Sequence, residues 1–172
     1  MDQKHCGLVA YLKMPYPPVA VLGRNPVYAK AMLDNVGGVC SEMSEVSLYL
    51  YNHVVTHQEQ VVSQLFHDIR VTEMRHLEIF SQLAFGLGAD PRLWIQTGSR
   101  KTYWSPRYNQ YPVELCSVLA NSMAGEEAII EKYRRQLDTI DDPLIQANLL
   151  RILADEEHHL ELFAYLHGQY TV

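Results

Sequence analysis

Two stretches of the chain carry the same pairing of acid and imidazole, Glu73-x-x-His76 and Glu156-x-x-His159. On a helix, side chains three residues apart share a face, so each pair can reach a single metal ion. The match extends further: Glu73-x-x-His76-Leu77-Glu78-Ile79-Phe80-x-x-Leu83 parallels Glu156-x-x-His159-Leu160-Glu161-Leu162-Phe163-x-x-Leu166, an internal duplication consistent with a pseudo-two-fold axis. Both pairs interrupt an apolar stripe of 4,3,4,3 spacing. One stripe is Val62, Phe66, Ile69, Glu73, His76, Phe80 and Leu83; the other is Ile145, Leu149, Ile152, Glu156, His159, Phe163 and Leu166. Such positions face the interior of a helical bundle. Burying an uncompensated carboxylate there costs several kcal/mol or forces its protonation, and a cation is the simplest compensation.

The elements that must position these residues follow from punctuation along the chain. Residues 1–25 are proline-rich and read as an extended N-terminal segment, and Asn25-Pro26 is a helix start. A helical pattern runs to about residue 57, broken at Gly37-Gly38, and a second spans about 59–85 before Gly86-Leu87-Gly88. Residues 89–111 show no helical period and form a long crossover. A third helix is expected over about 112–140, and after the turn Asp141-Asp142-Pro143 a fourth runs to about Gly168. Two hairpins joined by a crossover predict an all-α, ferritin-like antiparallel four-helix bundle, a single domain over residues 1–172. The turn near His57 brings Glu42 level with Glu73, and the turn near Asp141 brings Glu126 level with Glu156. Seven residues beyond these partners stand Tyr49 and Tyr133. The predicted ligands are therefore Glu42, Glu73, His76, Glu126, Glu156 and His159. Their four carboxylates would balance two divalent ions. A metal-free polar network would leave those carboxylates with only two histidines to offset them.

Composition narrows the classes. The chain has 172 residues, 48% of them hydrophobic, and a formal net charge of −6 without a basic cluster, which argues against nucleic acid. The apolar run Gly7–Leu12 is too short for a signal peptide or membrane span, so a cytoplasmic protein is expected. Cys6, Cys40 and Cys116 form no C-x-x-C pair and are read as free thiols.

Over about residues 26–167 the chain resembles the ferritin-like dimetal-carboxylate proteins. Gly37-Gly38-x-x-Ser41-Glu42-Met43-Ser44, Tyr49-x-Tyr51 and Thr72-Glu73-x-x-His76-Leu77-Glu78 are similar to manganese catalases and related spore-coat proteins. Gly125-Glu126-Glu127, Tyr133 and Glu156-Glu157-x-His159 look more like rubrerythrins, although Ile129 stands where those commonly carry a further glutamate. The resemblance implies the same six ligands. Mixed carboxylate and imidazole donors suit two iron or manganese ions, with zinc as a substitute. Two metals roughly 3.5–4 Å apart can bridge an O–O unit, so the expected activity is an oxidoreductase consuming hydrogen peroxide or dioxygen, of catalase or peroxidase type. A peroxidase would need an external electron donor. The alternatives are an iron-oxidising storage protein and a structural coat component with a stabilising metal site. A homodimer or higher homo-oligomer is expected.

Tyr49 and Tyr133 are read as hydrogen-bond donors or one-electron relays at the site, or as plain core tyrosines. Glu45, three residues after Glu42, is open to two readings: an extra ligand or proton carrier, or an outer, solvated residue. As a fifth ionised carboxylate near the metals it would favour the trivalent pair. His158 is expected at the surface, His167 at a helix C-terminus, and His53 on the same stripe as Tyr49. The crossover aromatics Trp94, Tyr103, Trp104, Tyr108 and Tyr111 are expected to serve packing.

Overall fold

A computed structural model of the chain describes residues 8–98 and 100–171. Cys6 lies outside the described residues, and Cys40 and Cys116 are free thiols. The Asn25 side chain accepts from the backbone N–H groups of Val27 and Tyr28 and starts α1 (Pro26–Gly37). Its last residue is Gly37, which lets the crossover approach closely: a Cβ there would stand 2.8 Å from the backbone of Leu93 and Trp94. Ser41 caps α2 (Glu42–Val55), accepting from the Ser44 N–H. The α1–α2 corner is tied to the second hairpin by Lys132, which ion-pairs with Asp34 at 2.8 Å and donates to the Cys40 carbonyl at 2.7 Å.

Three long helices follow: α3 (Gln60–Gly86), α4 (Leu115–Thr139) and α5 (Pro143–Tyr170). Helix α4 starts three residues later than the sequence suggests, because the Glu114 carboxylate caps it by accepting from Cys116 and Ser117. Asp142 caps α5 and also takes the Leu22 N–H, at 2.9 Å. Helices α2–α5 make the expected antiparallel, ferritin-like bundle. The crossover holds an element that the sequence reading did not foresee, the hairpin β1 (Trp94–Thr97) and β2 (Arg100–Tyr103), turning at Gly98 with φ +62°. It is pinned to α2 by the Trp104 indole on Ser44 Oγ at 3.0 Å and by Asn109 on the Ser44 carbonyl at 2.8 Å. Trp94 is buried, as a packing role requires, whereas Tyr103 is more than half exposed.

Every position of the two 4,3,4,3 stripes is buried. The apolar steps form two clusters, one around Phe66, Ile69, Leu119 and Phe163, the other around Met32, Phe80, Leu83, Ile129 and Leu149. Each large side chain taken fully out of water contributes about 1.5–3 kcal/mol, so the bundle has an apolar foundation on both sides of its polar layer. No helix among the described residues is long and apolar enough to cross a membrane.

Candidate metal centre

Glutamates and histidines fill the layer between the two apolar clusters. The structure brings together all six predicted residues, in two groups that share Glu73 and Glu156: Glu42, Glu73, His76, Glu156 and Glu73, Glu126, Glu156, His159. Within each group the candidate ligand atoms lie within 4.8 Å of one another, and all six side chains are fully buried. Both imidazoles turn Nδ1 inward. His76 Nδ1 lies 2.9 Å from Glu73 Oε2, 3.0 Å from Glu156 Oε1 and 3.6 Å from Glu42 Oε2. His159 Nδ1 lies 2.8 Å from Glu73 Oε1, 3.2 Å from Glu156 Oε2 and 3.8 Å from Glu126 Oε1. Glu73 and Glu156 thus offer one oxygen to each side, while Glu42 and Glu126 serve one side each. Were two ions held here, Glu73 and Glu156 could serve both, and Glu42 and Glu126 one each.

The tyrosines tie the hairpins together crosswise. Tyr49 of α2 donates to Glu126 Oε1 of α4 at 2.6 Å, and Tyr133 of α4 donates to Glu42 Oε1 of α2. Glu42 Oε2 and Glu126 Oε2 are buried and accept no hydrogen bond, while Glu73 Oε1 and Glu156 Oε1 meet only an imidazole Nδ1, at 2.8 and 3.0 Å. Leaving such oxygens unsatisfied is costly. Four buried carboxylates, two of them with an orphaned oxygen, converging with two imidazole nitrogens fit a pair of divalent transition-metal ions.

Protons do this neutralising work when metal does not. Burial, reinforced by the neighbouring Glu156, pushes Glu42 up to about 8, and the same two causes raise Glu126. Burial opposes ionisation of Glu73 too, but His159 and His76 outweigh it and hold Glu73 at about 2. The imidazoles are raised in turn: burial would lower them, and it is overcome at His76 by Glu156 and Glu73 and at His159 chiefly by Glu73.

Glu45 is not the solvated residue of one earlier reading. It is buried, neither carboxylate oxygen has a hydrogen-bond partner, and it belongs to neither ligand group. Burial, then the negative charges of Glu126 and Glu73, raise it well above the carboxylate range.

Sequence reasoning missed what stands behind the histidines. His76 turns Nε2 outward to Asp155 Oδ2 at 3.1 Å, and the same oxygen accepts the Tyr16 hydroxyl at 2.6 Å and ion-pairs with Arg151 at 2.6 Å. His159 turns Nε2 to the backbone carbonyl of Ala10 at 3.1 Å. The N-terminal segment therefore runs along α5 and closes over both imidazoles. Arg151 donates to the Leu12 and Met14 carbonyls, and Asn148 to that of Pro18. His158, expected at the surface, is half-buried because its ring meets the Val9 carbonyl at 2.7 Å. His53 is displaced from the Tyr49 stripe by Asn52, which is fully buried and donates to Ser122 at 3.2 Å; His53 instead meets Ser63 in the α2–α3 groove. The Arg151–Asp155 spacing of one helical turn, next to Glu156, was the available signal.

No curated protein matches the chain. Two crystal structures of KatB, a manganese catalase from Anabaena (strain PCC7120 in one case), share its fold. Each has a TM-score of 0.80 and 20% identity, covering 92% of this chain and 79% of KatB. The family model for manganese-containing catalase matches residues 10–97, a span that runs from the N-terminal segment through α3 and includes Glu42, Glu73 and His76. Glu126, Glu156 and His159 lie beyond that match and repeat its geometry through the internal duplication. With a match over half its length and the same bundle fold, the chain belongs to the manganese-containing catalase family.

Proposed function

We propose that this protein is a dimanganese catalase that converts hydrogen peroxide to water and dioxygen, 2 H2O2 → 2 H2O + O2. The observation that carries the reading is the placement of Glu73 and Glu156, each with one oxygen beside His76 and the other beside His159. Family membership favours manganese over iron, and nothing in the comparisons supports zinc. Glu42, Glu73, His76, Glu126, Glu156 and His159 would hold the ions. Two manganese ions bound there would supply the two-electron exchange that cleaves one peroxide and is restored by a second.

The chain's own residues must manage the protons. Oxidation of peroxide to dioxygen releases two protons, and reduction of peroxide to water consumes two. Glu45 is the group suited to carry them: an acid buried beside the ligands, its affinity for a proton raised by burial, and bound by no other donor. Tyr49 and Tyr133 are held to the terminal carboxylates, and burial with the adjacent Glu126 or Glu42 raises both hydroxyls well above the ordinary phenol range. We assign them to orienting those carboxylates rather than to proton release.

Protein produced in manganese-replete medium is expected to hold about two manganese ions per chain and to evolve dioxygen from peroxide without an added reductant. Peroxide loss that requires a reductant would replace this reading with a peroxidase, and absence of bound transition metal would end it. Glu45→Gln keeps the shape of a neutral acid but cannot carry a proton. It should keep the manganese content while lowering turnover by roughly 100-fold, the usual scale of a lost general acid–base group. Unchanged turnover would remove Glu45 from the reaction.

A further inference from the structure

The duplication that builds the two ligand pairs is broken immediately behind them. The residue preceding Glu156 is Asp155, whereas the residue preceding Glu73 is Thr72. Arg151 lies one turn before Asp155, and the matching position before Thr72 is Asp68. In the structure Asp155 reaches His76 Nε2, but Thr72 does not reach His159: its hydroxyl lies 3.5 Å from the Asp68 carbonyl. The outer nitrogen of His159 meets the Ala10 carbonyl instead. One imidazole is thus backed by a carboxylate and the other by a neutral amide oxygen.

We infer that Asp155 is a positioning residue that makes the two metal positions unequal, with the Glu42–His76 position binding manganese more tightly than the Glu126–His159 position. This rests on the reading that the six residues hold two metals. An imidazole that donates its outer N–H to a carboxylate is fixed in one tautomer and becomes a more basic ligand through its other nitrogen. A hydrogen bond to an ionised acceptor is also about twice as strong as one to a neutral acceptor. Asp155 is fully buried and held from three directions. Arg151 pairs with it at 2.6 Å while donating to the Met14 carbonyl, and the Tyr16 hydroxyl donates at 2.6 Å and lies 3.2 Å from His76 Nε2. The Arg151 ion pair and the Tyr16 hydroxyl therefore fix the direction of the carboxylate that faces His76.

The test is a manganese titration of the metal-free full chain, following the paramagnetic resonance signal of unbound Mn2+. Two backgrounds isolate the positions: His159→Ala leaves the Glu42–His76 position, and His76→Ala leaves the other. In the His159→Ala background, adding Asp155→Asn should weaken binding of the remaining ion about 10–100-fold, the scale for losing a partner behind a metal ligand. In the His76→Ala background the same change should alter affinity by less than about 3-fold, because Asp155 does not touch His159. Tyr16→Phe, which removes one donor without removing charge, should weaken the Glu42–His76 position alone and less strongly, and it keeps the test available if Asp155→Asn folds poorly. Equal losses in both backgrounds, or none in either, would overturn the inference and leave two-metal binding intact. A wild-type chain that takes up no manganese would overturn the underlying reading, and the inference with it.

Discussion

Glu73→Ala should empty both metal positions together, lowering manganese from about two ions per chain to nearly none and catalase turnover by at least about 100-fold. The reason is geometric. Glu73 presents Oε2 at 2.9 Å from His76 Nδ1 and Oε1 at 2.8 Å from His159 Nδ1, so neither position is complete without it. Glu156→Ala should behave alike, since its oxygens straddle the same two nitrogens. Glu42→Gln is the informative contrast, because Glu42 serves the His76 side alone and its loss should spare the other ion. Metal analysis of the purified variants decides the matter. Full retention of one ion by Glu73→Ala would show that Glu73 does not bridge. Glu73→Ala should also cost the metal-free protein about 3–5 kcal/mol, because it strips a carboxylate that both buried imidazoles hold ionised.

Removing the metals should leave a folded protein whose deficit in stability grows with pH. Glu42 is lifted from 4.5 to about 8 in the folded chain, so the stability contributed by its neutral form is present below pH 4.5 and lost as pH rises through about 8. His76 and His159, also raised, work in the same sense, losing their contribution as pH climbs past 6.5 and through their folded values. Glu73, lowered to about 2, works oppositely and matters only below pH 4.5. Metal ions displace these protons, so the loaded protein avoids the loss. The gap in Tm between loaded and metal-free protein should therefore widen between pH 5 and pH 8, on the order of 5–10 °C. Calorimetry of both forms across that range checks it, and a gap independent of pH would show that protons do not take the place of metal. The apolar clusters around Phe66 and Phe80 should keep the metal-free chain folded near pH 6.

What could be read from the sequence was what repeats. Glu and His interrupt two apolar stripes at the same steps, so their burial, shared layer and level partners Glu42 and Glu126 followed from helical period and turn position alone. The tyrosines at the seventh residue beyond those partners came with them, although not the crosswise pairing that each makes. What escaped detection does not repeat. Tyr16 and Asp155 are far apart in sequence and meet only because the N-terminal segment folds back along α5. Ala10 acts through a backbone carbonyl, which its residue type does not advertise. His53 and Asn52 differ by one position, a rotation of about 100° on a helix, and that exchanges a groove for the core. The burial of Glu45 depends on how closely α2 faces the other carboxylates, which spacing within α2 does not fix.

The crosswise tyrosines also limit how many bonds the terminal carboxylates can offer. Tyr133 occupies Glu42 Oε1 and Tyr49 occupies Glu126 Oε1, which leaves each of these glutamates a single uncommitted oxygen. A carboxylate with both oxygens free can clamp an ion from two directions and crowd the space around it, whereas one engaged by a phenol has a lone pair fewer to give and is held in one orientation. With two metals bound as proposed, the phenols would keep coordination sparse, and room for a small reactant would become a property of two hydroxyl groups that need never touch it.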